Sequence, residues 1–407
     1  MEVLKKINLA SFFILPVVLV LKDSIIAPFI AVFILSILPY FSRPTFQRSH
    51  FPVYFLILLY VLYLIGLFPS ENMHYGLKDI ETKMSFLLFP VVFIFSYKKI
   101  PKVSASWAKY GLIFGVSVSI IISILRAFLC TLDFGEYCYR SDNFGYNMHG
   151  TYLTSLCLLA VVFVLEKKAE NDWMKYFKAI FVLAVLVECY FVKSLSAYLV
   201  IFLLAFLYFV YWTIETRRKK LLFIFPILVI GAIFVANTLP AVKKEVNNTV
   251  VKLSDFLTDN EKFLRQNSNV NESNTVRLVT YSLSSKLIVE HPFGVGTGDV
   301  KDELMEAYIE NDFYKYAQLR YNSHNTFLQT GISIGWAGII ALLFVLVIPF
   351  FTKYVLQHKT LFFFLLIVFI SSLFESFLER QVGVILLSFF LITLFISFKQ
   401  ESSIQKK

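Results

Sequence analysis

The residues best suited to chemistry fall in one boundary stretch, Tyr321 to Ile339 (YNSHNTFLQTGISIGWAGI), where a long polar segment runs into an apolar one. His324 stands at that boundary, and an imidazole placed beside a hydroxyl can take its proton. Asn325 or Ser323 can cap the helix that begins there, and the free N–H groups of a helix start favour an anion. Gly331, Gly335 and Gly338 follow at spacings of four and three. Those spacings put all three on one helix face, where the missing side chains let a neighbouring helix approach closely in a bilayer. The expectation is a candidate catalytic His324 on a rigid, tightly packed helix end at the membrane surface. The plainer reading is that His324 is only a polar residue at an interface.

Other ionisable residues gather near the outer ends of apolar runs: Arg126, Arg140, His149, Glu188, Lys193, Glu375, Glu379 and Arg380, with Arg277 in the long polar segment. Charged groups at such positions are expensive and usually functional. Arginine grips phosphate oxygens with two parallel N–H bonds. A basic cluster there suits a lipid-linked phosphate or pyrophosphate and would stabilise the charge that develops as a pyrophosphate departs. Arg277, Arg380, Arg140 and Lys193 are the candidates for that contact. The alternative role of each is to anchor a helix against lipid headgroups.

Some chemistries are set aside. Gly294-Val295-Gly296-Thr297-Gly298 has no strand–turn–helix unit around it, so it does not read as a nucleotide loop. The six His and the scattered carboxylates lack metal-ligand spacing, and no metal or other cofactor is expected. The four Cys fit no zinc or redox motif; Cys130 and Cys138 flank one outer loop, as a disulfide or as two free thiols.

The elements that must position these residues are membrane helices. Of 407 residues 57% are hydrophobic and only 16% charged, where soluble domains hold about a quarter. The apolar residues come in runs of about twenty, the length a helix needs to cross a bilayer. Spans are expected at roughly 7–21, 24–41, 51–68, 84–97, 110–130, 147–165, 176–192, 196–214, 221–239, 326–351, 360–374 and 382–398. The chain thus reads as an all-α polytopic membrane protein of about twelve spans: nine within 1–239, a large loop over 240–325, and three within 326–407. The loops on the N-terminal side carry twenty Lys and Arg and the short loops opposite carry six. By the positive-inside rule both termini are cytoplasmic and the large loop is outside. The net charge of +10 is therefore a topology signal and not a nucleic-acid footprint. Within the loop, Val246, Val250, Leu253 and Leu257, and then Val276, Val279, Leu283 and Leu287, recur at helical spacing. HPFGVGTGDV (His291–Val300) between helical stretches reads as a turn-rich connector.

His324-Asn325, nine residues and then Gly335-Trp336-Ala337-Gly338 resembles the signature of the bacterial O-antigen ligase and O-antigen polymerase superfamily. Arg277 followed by SSKLIVEHPFGVGTGDV is similar to that family's Arg-led loop helix and turn. RSDNFGYNMHGTY (Arg140 to Tyr152) and ESFLERQVG (Glu375 to Gly383) are similar to its segments flanking a middle and the last span. The resemblance implies a bundle of about twelve spans with one large periplasmic loop in the bacterial inner membrane. It implies an undecaprenyl-diphosphate glycan as donor and, for a ligase, lipid A-core as acceptor in lipopolysaccharide biosynthesis, without ATP or metal. Arg277 would contact the donor pyrophosphate and His324 would activate the acceptor hydroxyl. One departure stands out: Leu195 occupies the place of an Arg found in many members, with Lys193 nearby as a point charge that lacks the bidentate fork. A polysaccharide polymerase with the same donor is the rival within the class, and a protein acceptor a further one. A lipid-linked glycan or polysaccharide transporter is the rival from another class. It predicts charges near the midplane, whereas here they lie toward the span ends.

Overall fold

The computed structural model describes residues 2–101, 103–134, 138–139, 148–166, 169–215, 250–267 and 272–404. Every regular element among them is a helix. The expected span at 221–239, and Arg140 with most of the segment that follows it, lie outside the described residues.

The first half is a run of apolar helices: α1 (Glu2–Leu21), α2 (Ile26–Ile37), α3 (Phe51–Ile65), α4 (Met73–Lys83), α5 (Ser85–Ser96), α6 (Ser104–Phe134), α7 (Gly150–Glu166), α8 (Asp172–Val192) and α9 (Leu195–Glu215). In the large loop follow a helix over 250–258, α10 (Asn260–Gln266), α11 (Ser273–Glu290), α12 (Val300–Glu310) and α13 (Tyr314–Leu319). The chain closes with α14 (Thr326–Leu346), α15 (Lys353–Gln357), α16 (Lys359–Phe374) and α17 (Gln381–Ile404). Among the described residues five stretches are long and apolar enough to cross a membrane: Val3–Leu21, Arg48–Ile65, Ser104–Asp133, Thr326–Leu346 and Gln381–Phe398. Ile26–Tyr40, Gly150–Glu166, Ser196–Tyr211 and Lys359–Phe374 are apolar but shorter. The architecture is that of a polytopic membrane protein.

The fourth expected span is preceded by a helix of a different kind. Helix α5 (Ser85–Ser96) falls within the expected 84–97, and the separate helix α4 precedes it, joined to it at Met84. Helix α4 carries Lys78, Asp79, Glu81 and Lys83, which hydrocarbon does not accept, and Asn72 caps its start by accepting from the Tyr75 N–H.

The last helix is central. Its residues Val384 to Ile396 are almost all fully buried, and it packs on α5 and α6. Phe389 meets Phe33 and Phe89 edge-on at 5.3 and 5.6 Å, and Phe12 meets Phe33 at 4.8 Å. These are favourable quadrupole geometries in a core where apolar burial alone gives little preference over lipid. Helices α1 and α6 pack closely: a Cβ on Gly111 would lie 2.1 Å from the Phe13 carbonyl oxygen.

The large loop has its own apolar core. Val276, Val279, Leu283 and Leu287 line the buried side of α11, as their spacing predicts, and meet Leu304, Tyr308, Phe313 and Tyr316. Ile332 of α14 joins this cluster, so the loop is folded onto the bundle. By contrast Val250, Leu253 and Leu257 are exposed although their stretch is helical.

Candidate functional site

Four segments distant in the chain converge at one end of the bundle: residues 321–326, the start of α11, the turn 373–380 after α16, and the start of α7. Main-chain carbonyls left over at the end of α16 hold them together. The Leu373 carbonyl accepts from the Tyr281 hydroxyl at 2.6 Å and from Asn325 Nδ2 at 3.2 Å. The Phe374 carbonyl accepts from Arg277 Nε at 3.3 Å. The Glu375 carbonyl accepts from the Thr326 hydroxyl at 2.9 Å, and that hydroxyl in turn accepts from the Phe377 N–H at 2.8 Å. The Tyr152 hydroxyl donates to the Ser376 carbonyl at 3.2 Å. A helix end that would otherwise expose carbonyls is thereby satisfied by the groups that build the site.

Asn325 is the cap of α14: its side chain accepts from the N–H groups of Phe327 and Leu328. Ser323 does not cap; fully buried, it donates to the Asn325 carbonyl or to Gln329 Oε1 and lies 3.2 Å from the Ser376 hydroxyl. Between them His324 adopts a left-handed backbone, φ +47°. That region is unfavourable for a non-glycine residue. It is held here by the Asn322 side chain, which accepts from the His324 N–H at 3.0 Å, and the Tyr281 hydroxyl, whose one proton goes to the nearer Leu373 carbonyl, lies 3.2 Å from the His324 carbonyl.

The consequence is the ring's position. His324 Nδ1 lies 3.6 Å from Glu375 Oε2, an ion-pair distance, and both atoms are buried. Nδ1 is turned to the carboxylate, and Nε2 remains for an outside group. His149 Nδ1 lies 3.9 Å from the same oxygen, so one carboxylate stands between two imidazoles. Burial pushes the Glu375 carboxyl upward, but His324 and then His149 and Arg277 outweigh it and hold it below its ordinary value of 4.5. Glu375 is therefore ionised near neutrality. His149 is lowered from 6.5, first by burial; Glu375 opposes that, and Arg380, His324 and Arg277 add to it. Arg380 stands with its Cζ 5.8 Å from the Tyr152 ring, which stacks on Phe377 at 4.8 Å.

A second charged group braces the turn from behind. The Lys83 side chain is fully buried, and its ammonium pairs with Asp79 and, at 2.9 Å, with Glu379. It also lies 4.6 Å above the Tyr63 ring, whose hydroxyl is 3.0 Å from Thr330 of α14. Burial pushes Asp79 up to about 6, against the pull of Lys83 and with some help from Glu379. Burial alone would lower Lys83, but its two carboxylates more than reverse that and keep it charged.

The three glycines do not form the single face their spacing suggests. Helix α14 is broken at Ile334 (φ −133°, ψ 22°) and Gly335 (φ 65°, ψ −160°). At the break the neighbour is a loop and not a helix: the Val295 and Gly296 N–H groups donate to the Ile332 and Ser333 carbonyls at 2.8 and 3.1 Å, and the Trp336 N–H to the Pro292 carbonyl at 3.1 Å. A Cβ on Gly335 would lie 2.3 Å from that Pro292 oxygen. Gly331 faces Ile288 of α11, and Gly338 faces the Ile334 side chain of its own helix. The turn-rich HPFGVG stretch is thus a wedge in α14.

Of the expected site residues, the structure brings His324, Arg277 and Arg380 together. Arg140 lies outside the described residues. Lys193 is the left-handed cap of α8 (φ 54°) and is exposed; Gly150 packs on Val192, so this turn is at the same end as His149. Among the described residues no hydrogen bond or ion pair ties Lys193 to the cluster. Glu375 and His149 had stood out only as charged residues near span ends, and nothing local in the sequence pairs them. Cys130, near the end of α6, and Cys138, just beyond it, are joined by a disulfide. Among the described residues no group of three or more His, Cys, Asp or Glu is arranged for a metal. The arrangement can therefore bind an anion through Arg277 and Arg380 and move a proton at His324.

Comparison with known proteins bears on the same residues. A family model described as "O-Antigen ligase" matches residues 179–343, which include Arg277, His324 and the wedge, but not Glu375 or Arg380. No curated protein matches the chain.

Proposed function

We propose that this member of the O-antigen ligase superfamily moves a glycan from undecaprenyl diphosphate to the hydroxyl of a lipid A-core acceptor, at the bundle end where His324 sits. The observation that carries the reading is the meeting of His324, Glu375, Arg277 and Arg380 from segments far apart in the chain. The acceptor oxygen attacks the anomeric carbon as His324 Nε2 takes its proton. The bond from that carbon to the phosphate oxygen breaks, and its electron pair leaves with the diphosphate. Attack opposite the leaving group inverts the anomeric centre. Glu375 stabilises the imidazolium so formed, and Arg277 and Arg380 neutralise charge growing on the diphosphate. Arg140 and Lys193 are proposed as outer contacts to the same group. No ATP, metal or other cofactor enters the scheme.

The orientation proposed is a bacterial inner membrane with both termini cytoplasmic and the site periplasmic. The disulfide at the site end of α6 supports it, since such bonds persist in oxidising compartments.

The test uses purified protein in liposomes with undecaprenyl-diphosphate glycan and either lipid A-core or further donor. Glycan on lipid A-core, lowered about 10²–10⁴-fold by His324→Ala, is the expected result. Longer lipid-linked glycans would instead make the chain a polymerase. Undiminished turnover in His324→Ala would remove His324 as the base.

A further inference from the structure

At the end of the bundle opposite His324, a cavity of about 790 Å³ opens between α7, α8, α9 and α16. Its size lies within the roughly 300–1,000 Å³ of pockets that hold small ligands. The interior is apolar, with Leu158, Val162, Val185, Ile201, Leu204 and Phe363 among its walls. The mouth is basic. Lys175 and Lys178 come from the first turns of α8, and Lys359 begins α16.

The only carboxylate among the described lining residues is Glu166, and it is already engaged. It accepts from Lys109 at 2.7 and 2.8 Å and from the Thr360 hydroxyl at 3.0 Å. Lys175 shares Asp172 in an exposed pair that water loosens. Lys359 lies over the Tyr211 ring, and Tyr208 also lines the cavity. Tyrosines with lysines around an apolar slot are the side chains that meet lipid headgroups at a membrane interface.

A slot with an oily interior and a cationic mouth matches an anionic lipid: like polarity for the acyl chain and opposite charge for the headgroup. We infer that it is a binding site for one anionic glycerophospholipid of the leaflet opposite the transfer site. An acyl chain lies between α7, α8 and α9, and the phosphate sits among Lys175, Lys178 and Lys359. A zwitterionic lipid brings its own ammonium to the same lysines and is disfavoured. The inference stands on the cavity alone and does not depend on the transfer reaction.

The experiment uses the full chain, delipidated in detergent, then titrated with phosphatidylglycerol or phosphatidylethanolamine and read by native mass spectrometry. Each lysine near an anionic group contributes roughly fivefold in affinity, so wild type is expected to favour phosphatidylglycerol by at least about tenfold. Combining Lys175→Gln, Lys178→Gln and Lys359→Gln is expected to bring the two lipids within about twofold of each other. Ala205→Phe, which fills the slot, is expected to weaken both. Equal binding of the two lipids by wild type, or an unchanged preference in the triple variant, overturns the inference. So does full retention of both lipids by Ala205→Phe, or equal displacement by soluble glycerol phosphate. No glycan donor is present, so failure here and failure of the transfer reading are separate results.

Discussion

At the scale of single residues, the site depends on one carboxylate shared by two imidazoles. Glu375→Gln keeps the shape and removes the charge, and transfer is expected to fall about 10²–10⁴-fold, as for loss of His324 itself, in the liposome assay. The pH dependence of stability has a sign that can be worked out. Glu375 is held below 4.5 in the folded chain, so its contribution is complete above that value and is lost as pH falls through the lower folded value. His149 is lowered from 6.5, so the unfolded chain protonates first and stability declines as pH drops below 6.5. Thermal unfolding in detergent should therefore show Tm falling on acidification in two stages; Glu375→Gln should flatten the more acid stage, and His149→Phe the first. His324 and Arg277 were legible in the sequence because each sits in a local pattern. Glu375 and His149 were not recognisable as partners, because a pair formed between distant segments leaves no spacing to read.

Elements show where local pattern misleads. Spacings of three and four describe a helix face whether or not the helix is continuous, so Gly331, Gly335 and Gly338 gave no sign that α14 breaks. The glycine that sustains the break looks like any other until its φ of +65° is known. Gly335→Ala would place a methyl against the Pro292 carbonyl and force a conformation almost reserved for glycine; the expected cost is about 1–3 kcal/mol or more, read as a lower Tm. Asn325→Ala removes the cap of α14 and should cost about 1 kcal/mol, with a smaller fall in Tm. The inward face of the large-loop helix α11 was legible: Val276, Val279, Leu283 and Leu287 repeat with the helical period, and these four turn inward.

For the whole molecule, the helical membrane class was open to reading because a bilayer demands long apolar runs whatever the tertiary detail. The buried ion group was not, since Lys83 looks like any loop lysine until Asp79 and Glu379 are seen around it. Removing one partner of a buried ion group typically costs about 3–5 kcal/mol. Lys83→Met should fall at the lower end, because the Asp79 and Glu379 side chains are partly accessible. Adding Glu379→Gln to Lys83→Met should recover part of the lost Tm. The wedge at Gly335 also bears on how the chain is made. Neither half of the broken α14 is long enough to cross a bilayer alone, and the Ile332 and Ser333 carbonyls find their donors in residues 295 and 296. Those donors precede the helix in the chain, so a ribosome delivers the wedge before the segment it completes. Biogenesis of the last third of the protein thus has a built-in order: the 292–296 turn is made first, and α14 becomes a finished element only on meeting it.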